Sequence, residues 1–254
     1  MNRLENKVAL VTGGGGFGIG RAIAIAFAKE NADVCVADMT LSKVQEDTVR
    51  EIEKIGRKAL AVKADISKIP EIEKMVKETI DYFGKIDILV NNAGITYISP
   101  ILDVTEEKWD EVINTDLKGT FFATQKVLPY MLKQGKGKII NIASALGVEG
   151  EPEIPAYCAA KGGVINLTRA MGVELALKKI NVNAIAPGFT LSSMANFTPD
   201  PKMSAAVSRA LERIPAGRPA QPEEMGSAAV YLASDESDFI VGTTLFVDGG
   251  ETAR

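Results

Sequence analysis

Tyr157 and Lys161, in the stretch YCAAKGG, stand four residues apart in a segment that the preceding EPEIPA marks as a helix start. On an α-helix, positions i and i+4 lie one above the other on one face. A lysine ammonium held there favours the phenolate and lowers a tyrosine pKa from its reference of about 10. A tyrosine tuned in this way can serve as general acid or base toward an alcohol or a ketone. Cys158, Ala159 and Ala160 between the pair, and Gly162 and Gly163 after it, are small and leave that face open for a flat ring or a packed neighbour. Taken alone, the same spacing also describes two solvated side chains.

A second chemical feature lies near the start, in TGGGGFGIG, which spans Thr12–Gly20 and has six glycines in nine residues. Glycine loses more conformational freedom on folding than any other residue, so such a run marks a place where something approaches the backbone closely. Gly13, Gly15 and Gly18 satisfy the spacing G-x-G-x-x-G, and Phe17, Ile19 and Gly20 complete the candidate cofactor loop. With a strand before and a helix from near Gly18, this spacing lets a pyrophosphate rest on helix N-terminal amides. Asp38 follows at the end of the next apolar run, where a carboxylate accepts hydrogen bonds from an adenosine ribose and repels the extra phosphate of NADP. NAD is therefore the expected cofactor. The alternatives are a flexible glycine turn and an Asp38 that caps a helix starting near Leu41, as Thr40 or Ser42 could.

These residues need a scaffold, and the pattern supplies one. Short apolar runs occur at Lys7–Thr12, Asp33–Asp38, Lys58–Asp65, Asp87–Gly94, Lys138–Ser144, Ile180–Pro187 and Thr244–Gly250. Segments with helical spacing separate them, among them Ala22–Lys29, Leu41–Ile55 and Pro70–Phe83. The runs lack strict alternation, as strands of a parallel sheet do when both faces are buried. Strand–helix–strand repetition predicts an α/β fold, a Rossmann-type doubly wound parallel sheet with helices on both faces. The expected organisation is one domain over residues 1–254, with a substrate loop at about 188–220.

Composition narrows the function. The chain has 254 residues, 46% hydrophobic and 24% charged, a globular balance with ample core material. A net charge of −4 leaves no basic excess for nucleic acid. No apolar stretch reaches the ~18 residues that span a bilayer, and the first residues have no signal-peptide pattern. With no histidine and two cysteines, Cys35 and Cys158, neither a His-ligated metal site, a four-thiolate zinc site nor a disulfide framework is available. A cytoplasmic, metal-free protein is expected.

Taken in order, the motifs resemble those of the classical short-chain dehydrogenase/reductase family over nearly the whole chain. They are the glycine motif at Thr12–Gly20, Asp65 after the third strand, NNAG at Asn91–Gly94, Ser144 thirteen residues before Tyr157, YxxxK itself, Pro187–Gly188 and the closing Val247–Gly250. The resemblance implies a tetramer-forming Rossmann-type fold that transfers hydride to or from nicotinamide. It implies Tyr157 as catalytic acid/base, with Lys161 lowering its pKa and holding the nicotinamide ribose, and Ser144 hydrogen-bonding the substrate oxygen. It further implies Asp65 and Ile66 beside the adenine, Asn92 lining the cofactor cleft, and Thr190 and Ser192 at the carboxamide. From the residues alone, Asp65 could equally cap a helix through Ser67, Asn92 could belong to a structural turn, and Ser144 could be a satisfied loop hydroxyl.

Two departures from the family pattern stand out. Four residues, Gly14 to Phe17, separate Thr-Gly from Gly-x-Gly where the family has three, and Phe17 occupies a place where NADP-preferring relatives often have a basic residue. In WDEVINTDLKG, the family's catalytic asparagine falls on Asp116. Asn114 cannot simply substitute, because two residues along a helix turn the side chain by about 200°. Aspartate could hold a water for a relay to Lys161, but its charge would oppose ionisation of Tyr157. The expected activity is NAD-dependent interconversion of a secondary alcohol and a ketone by a homotetramer. The alternatives are a 3-oxoacyl-thioester reductase and a non-catalytic NAD-binding regulatory protein.

Overall fold

Seven apolar segments pair side by side into one sheet, in the order β3-β2-β1-β4-β5-β6-β7. They are β1 (Val8–Thr12), β2 (Asp33–Asp38), β3 (Ala59–Lys63), β4 (Ile88–Asn91), β5 (Gly137–Ile142), β6 (Ile180–Pro187) and β7 (Thr244–Val247). The computed structural model of the chain describes residues 2–192, 208 and 211–253. Every neighbouring pair is parallel; Val11, for example, lies between Val36 and Val90. All five residues of β1 and all eight of β6 are buried. This double-sided burial is why the runs are continuously apolar.

The helices divide between the two faces. They are α1 (Ile19–Lys29), α2 (Lys43–Lys54), α3 (Ile69–Phe83), α4 (Glu106–Ile113), α5 (Gly119–Gln134), α6 (Pro155–Leu175) and α7 (Pro222–Ala233). Ala9 and Val11 of β1 pack with Phe27 of α1, Ile52 of α2 and Met225 of α7. Leu10, between them in sequence, points the other way to join Met75 of α3, Val127 of α5 and Met171 of α6. The two-residue period of a strand thus feeds two separate cores.

Local chemistry sets the ends of these helices. Ser42 Oγ accepts a hydrogen bond from Gln45 N, so α2 starts at Lys43 rather than Leu41, and Ser42, not Asp38, is its cap. Thr105 caps α4 through Lys108 N, and Pro222 opens α7 behind a reciprocal capping box of Gln221 and Glu224. The short bridge Thr190↔Ala220 joins the two ends of the expected substrate loop. Most of that loop lies outside the described residues.

The chain order reverses between β1 and β4, so the carboxyl ends of these strands open a crevice, the usual ligand position in doubly wound sheets. The glycine run leaves β1, Asn92 leaves β4 and Ser144 follows β5, all at that same edge. Among the described residues, no helix is long and apolar enough to cross a membrane.

Candidate active site

Four side chains converge where β5 ends and α6 begins. Lys161 lies one turn after Tyr157 on α6, with its Nζ 5.5 Å from the centre of the Tyr157 ring. The ammonium donates to Ile142 O at 3.0 Å and lies 3.1 Å from Asp116 Oδ2. Ser144 lies beside the Tyr157 side chain, and its Oγ accepts from Leu146 N at 3.2 Å. Ser144 is therefore both a turn-forming hydroxyl and a neighbour of the phenol. The small residues of YCAAKGG admit packed neighbours: Leu117 fills the space a Cβ on Gly163 would occupy. Tyr157 itself packs with Val112, Ala156 and Ala160.

Asp116 reaches Lys161 because residues Asn114–Lys118 wind as a π-turn between α4 and α5. Such wide turns recur at functional sites, and the angular step of a regular helix does not apply here. Asp116 is 1% exposed, whereas Asn114 is only half-buried. One carboxylate oxygen accepts from Ile95 N at 2.8 Å. The other, Oδ2, is at ion-pair distance from Lys161 but not aligned as a hydrogen bond. The contact between Asp116 and Lys161 is direct.

Lys161 acts on the Tyr157 pKa in the expected direction, but burial acts against it. Burial raises the Tyr157 phenol above its ordinary value near 10.0, Lys161 pulls it down, Asp116 pushes it up again, and the nearby Ser144 lowers it. The net direction is upward, so the lysine moderates the desolvation of this tyrosine without overcoming it. For Lys161, burial favours loss of the proton, but Asp116 and then Tyr157 outweigh it and hold the ammonium above its ordinary range. Burial raises the Asp116 carboxyl against the pull of Lys161 and the Ile95 amide.

The glycine loop is bound into its surroundings. Gly13 adopts a left-handed φ of +66, and a Cβ there would come within 2.7 Å of Ala93 Cα. Asn92 Nδ2 donates to Thr12 O at 2.9 Å and Gly13 O at 3.0 Å, fixing the turn out of β1. Asn92 thus acts as a clamp on the loop. Asp38 Oδ2 accepts from Gly15 N at 2.9 Å. Gly18 precedes α1 and faces Ser192, whose Cβ lies 3.3 Å from where a Gly18 Cβ would stand. Phe17 is exposed, with the Arg21 guanidinium 5.5 Å from its ring centre.

A dinucleotide suits this loop. The first turn of α1, beginning Ile19-Gly20, has no capping side chain and no acidic residue. Helix N-terminal amides left without a capping partner provide donors for a diphosphate.

Other expected residues are committed locally. Asp65 Oδ1 accepts from Ser67 N and Oγ, and Lys68 lies 3.1 Å from Oδ2. Although burial pushes the Asp65 carboxyl up, these partners hold it below its ordinary range. The carboxylate turns the chain before α3 rather than capping that helix itself, since Lys68 occupies the cap position. Ile66 is buried, with its carbonyl oxygen and side chain packed against Gly119. Thr190 Oγ1 donates to Gly188 O at 3.0 Å. Ile142 and Ile95 join the site through backbone atoms alone. Gly94 joins it too, since a Cβ there would come within 2.7 Å of Asp116 Oδ2. Only the glycine, already quoted within NNAG, left a trace in the sequence.

The chain is similar to known dehydrogenases and reductases over nearly its whole length. A family model described as enoyl-(acyl carrier protein) reductase matches residues 15–252. The chain is 41% identical over 248 residues to a 3-oxoacyl-[acyl-carrier-protein] reductase of Thermotoga maritima, covering 98% of both chains. It is 40% identical to a 2-dehydro-3-deoxy-D-gluconate 5-dehydrogenase of Dickeya dadantii, covering 99% of this chain and 97% of that one. A solved structure from Agrobacterium tumefaciens, provisionally assigned as a 2-deoxy-D-gluconate 3-dehydrogenase with bound NADP, is also similar. It has a TM-score of 0.88 and 38% identity, covering 99% of this chain and 98% of that chain.

Proposed function

Because this chain belongs to the short-chain dehydrogenase/reductase family, we propose that it is an NAD-dependent oxidoreductase interconverting a secondary alcohol and a ketone. The convergence of Ser144, Tyr157 and Lys161 at one point carries this reading. Tyr157 gives its proton to the ketone oxygen during reduction and takes it back during oxidation. Ser144 offers a hydroxyl to the same oxygen. Lys161 keeps a positive charge behind the ring, which eases charge development on the phenol oxygen. A nicotinamide bound in the crevice would supply or accept the hydride. Gly13, Gly15, Gly18, Ile19 and Gly20 shape the loop around the diphosphate, with Asn92 securing the turn. Asp38 would hold the adenosine ribose, where its negative charge would disfavour a 2′-phosphate. Asp65, Ile66, Phe17, Thr190 and Ser192 complete the cofactor surface.

The upward pKa of Tyr157 gives the pH dependence. The phenol is the form held at neutral pH, ready to act as an acid in ketone reduction. Alcohol oxidation needs the phenolate and so rises with pH. Reduction needs the phenol and falls as pH passes the same value.

The reading extends to a single catalytic domain, a homotetramer and a cytoplasmic location. Exposed Trp109, Phe121 and Leu132 on α4 and α5 support subunit contacts, and the free Cys35 and Cys158 suit a reducing compartment. A second reading, a 3-oxoacyl-thioester reductase, is favoured by the near full-length similarity to the Thermotoga maritima reductase. Initial rates across secondary alcohols, sugar acids, hydroxysteroids and 3-hydroxyacyl thioesters, each with NAD and with NADP, separate the two. NAD-linked turnover of a non-thioester alcohol supports the first reading. NADP-linked turnover confined to thioesters replaces it with the second.

A further inference from the structure

The glycine loop, one residue longer than the family resemblance implies, lies against Asp38 through Gly15. Gly15 N donates to Asp38 Oδ2 at 2.9 Å, and Gly15 O accepts from Ser42 Oγ at 3.2 Å. Gly14 N donates to Ala37 O at 3.3 Å, just before Asp38 on β2. A Cβ on Gly15 would lie 2.8 Å from Asp38 Cβ and 2.9 Å from its Cγ and Oδ2, so loop and carboxylate touch with no room for a side chain. Gly14 and Gly15 are buried, while Asp38 is half-buried at the crevice.

We propose that Asp38 is a positioning residue for the lengthened glycine loop as well as the residue that selects the cofactor. This inference rests on the NAD reading above. One carboxylate oxygen pins the loop through Gly15 and the other remains for the ribose, so cofactor choice and loop order share one side chain. Removing the carboxylate therefore does more than relieve repulsion of a 2′-phosphate, because it also frees the Gly15 amide and loosens the diphosphate cradle. Asparagine is the separating substitution: its amide oxygen still accepts from Gly15 N, while the negative charge is gone.

The test has two readouts on the whole protein. Hydrogen–deuterium exchange of the peptide spanning residues 12–18, without nucleotide, reports loop pinning. Fluorescence titration with NADH and NADPH reports selection. Asp38→Ala is expected to exchange about tenfold faster in that peptide, the loss of one partly buried hydrogen bond, and to bind both nucleotides more weakly than the parent. Asp38→Asn is expected to retain the protection and to gain NADPH affinity. Gly15→Ala, with Asp38 intact, is expected to weaken NADH binding. Unchanged exchange in Asp38→Ala, or an NADPH gain there equal to that of Asp38→Asn, overturns the inference. If the parent protein prefers NADPH, the NAD reading fails, and the exchange experiment still decides whether Asp38 pins the loop.

Discussion

Asp116 Oδ2 lies 3.1 Å from Lys161 Nζ, and both side chains are almost wholly withdrawn from solvent. The family resemblance places an uncharged asparagine at this position, so here the lysine behind Tyr157 has a buried counter-ion. That charge pushes the Tyr157 phenol up while holding Lys161 protonated.

Replacing Asp116 by asparagine removes the negative charge and keeps a side chain that can accept from Ile95 N. The Tyr157 pKa then falls. The rising limb of kcat/KM against pH for alcohol oxidation is expected to move to lower pH by on the order of one unit. The falling limb for ketone reduction is expected to move the same way. Limbs that stay in place, or move to higher pH, contradict a direct effect of Asp116 on Tyr157.

The buried pair also predicts a stability pattern. Lys161→Met leaves Asp116 as an unpaired buried carboxylate and is expected to cost about 3–5 kcal/mol in urea unfolding. Adding Asp116→Asn to that variant removes the stranded charge and should recover much of the loss. Activity stays absent in both. Strictly additive losses in the double variant would show that the two groups do not act as a pair.

Gly20 tests the cofactor cradle from the other side. A Cβ there would overlap Asn92 Nδ2 and Gly13 O, the partners of the clamp that fixes the turn. Gly20→Ala is expected to weaken NADH binding by more than about tenfold, in line with the strain of overpacking a close contact. A titration matching the parent protein would show that the clamp does not govern binding.

Much of the scaffold was legible in the sequence. The ends of β2 at Asp33 and Asp38, and of β6 at Ile180 and Pro187, match the apolar runs at both boundaries because polar or proline residues punctuate them. The i, i+4 relation of Tyr157 and Lys161 followed from helix geometry alone. The direction of the Tyr157 pKa did not, because desolvation depends on Val112, Ala156 and Ala160 packing around the ring. Nor did the direct Asp116–Lys161 contact, which needs the π-turn that a uniform helical period hides. The role of Ile142 was invisible because a backbone carbonyl carries no residue type.

The most direct measurement is the transient formation of NADH at 340 nm when the protein is mixed with NAD and a turned-over secondary alcohol, comparing the parent with Tyr157→Phe. We expect hydride transfer in the parent and a loss of about 10²–10⁴-fold in the variant, with NADH binding retained in a parallel titration. Equal transients in the two proteins would contradict Tyr157 as the acid/base and, with it, the proposed chemistry.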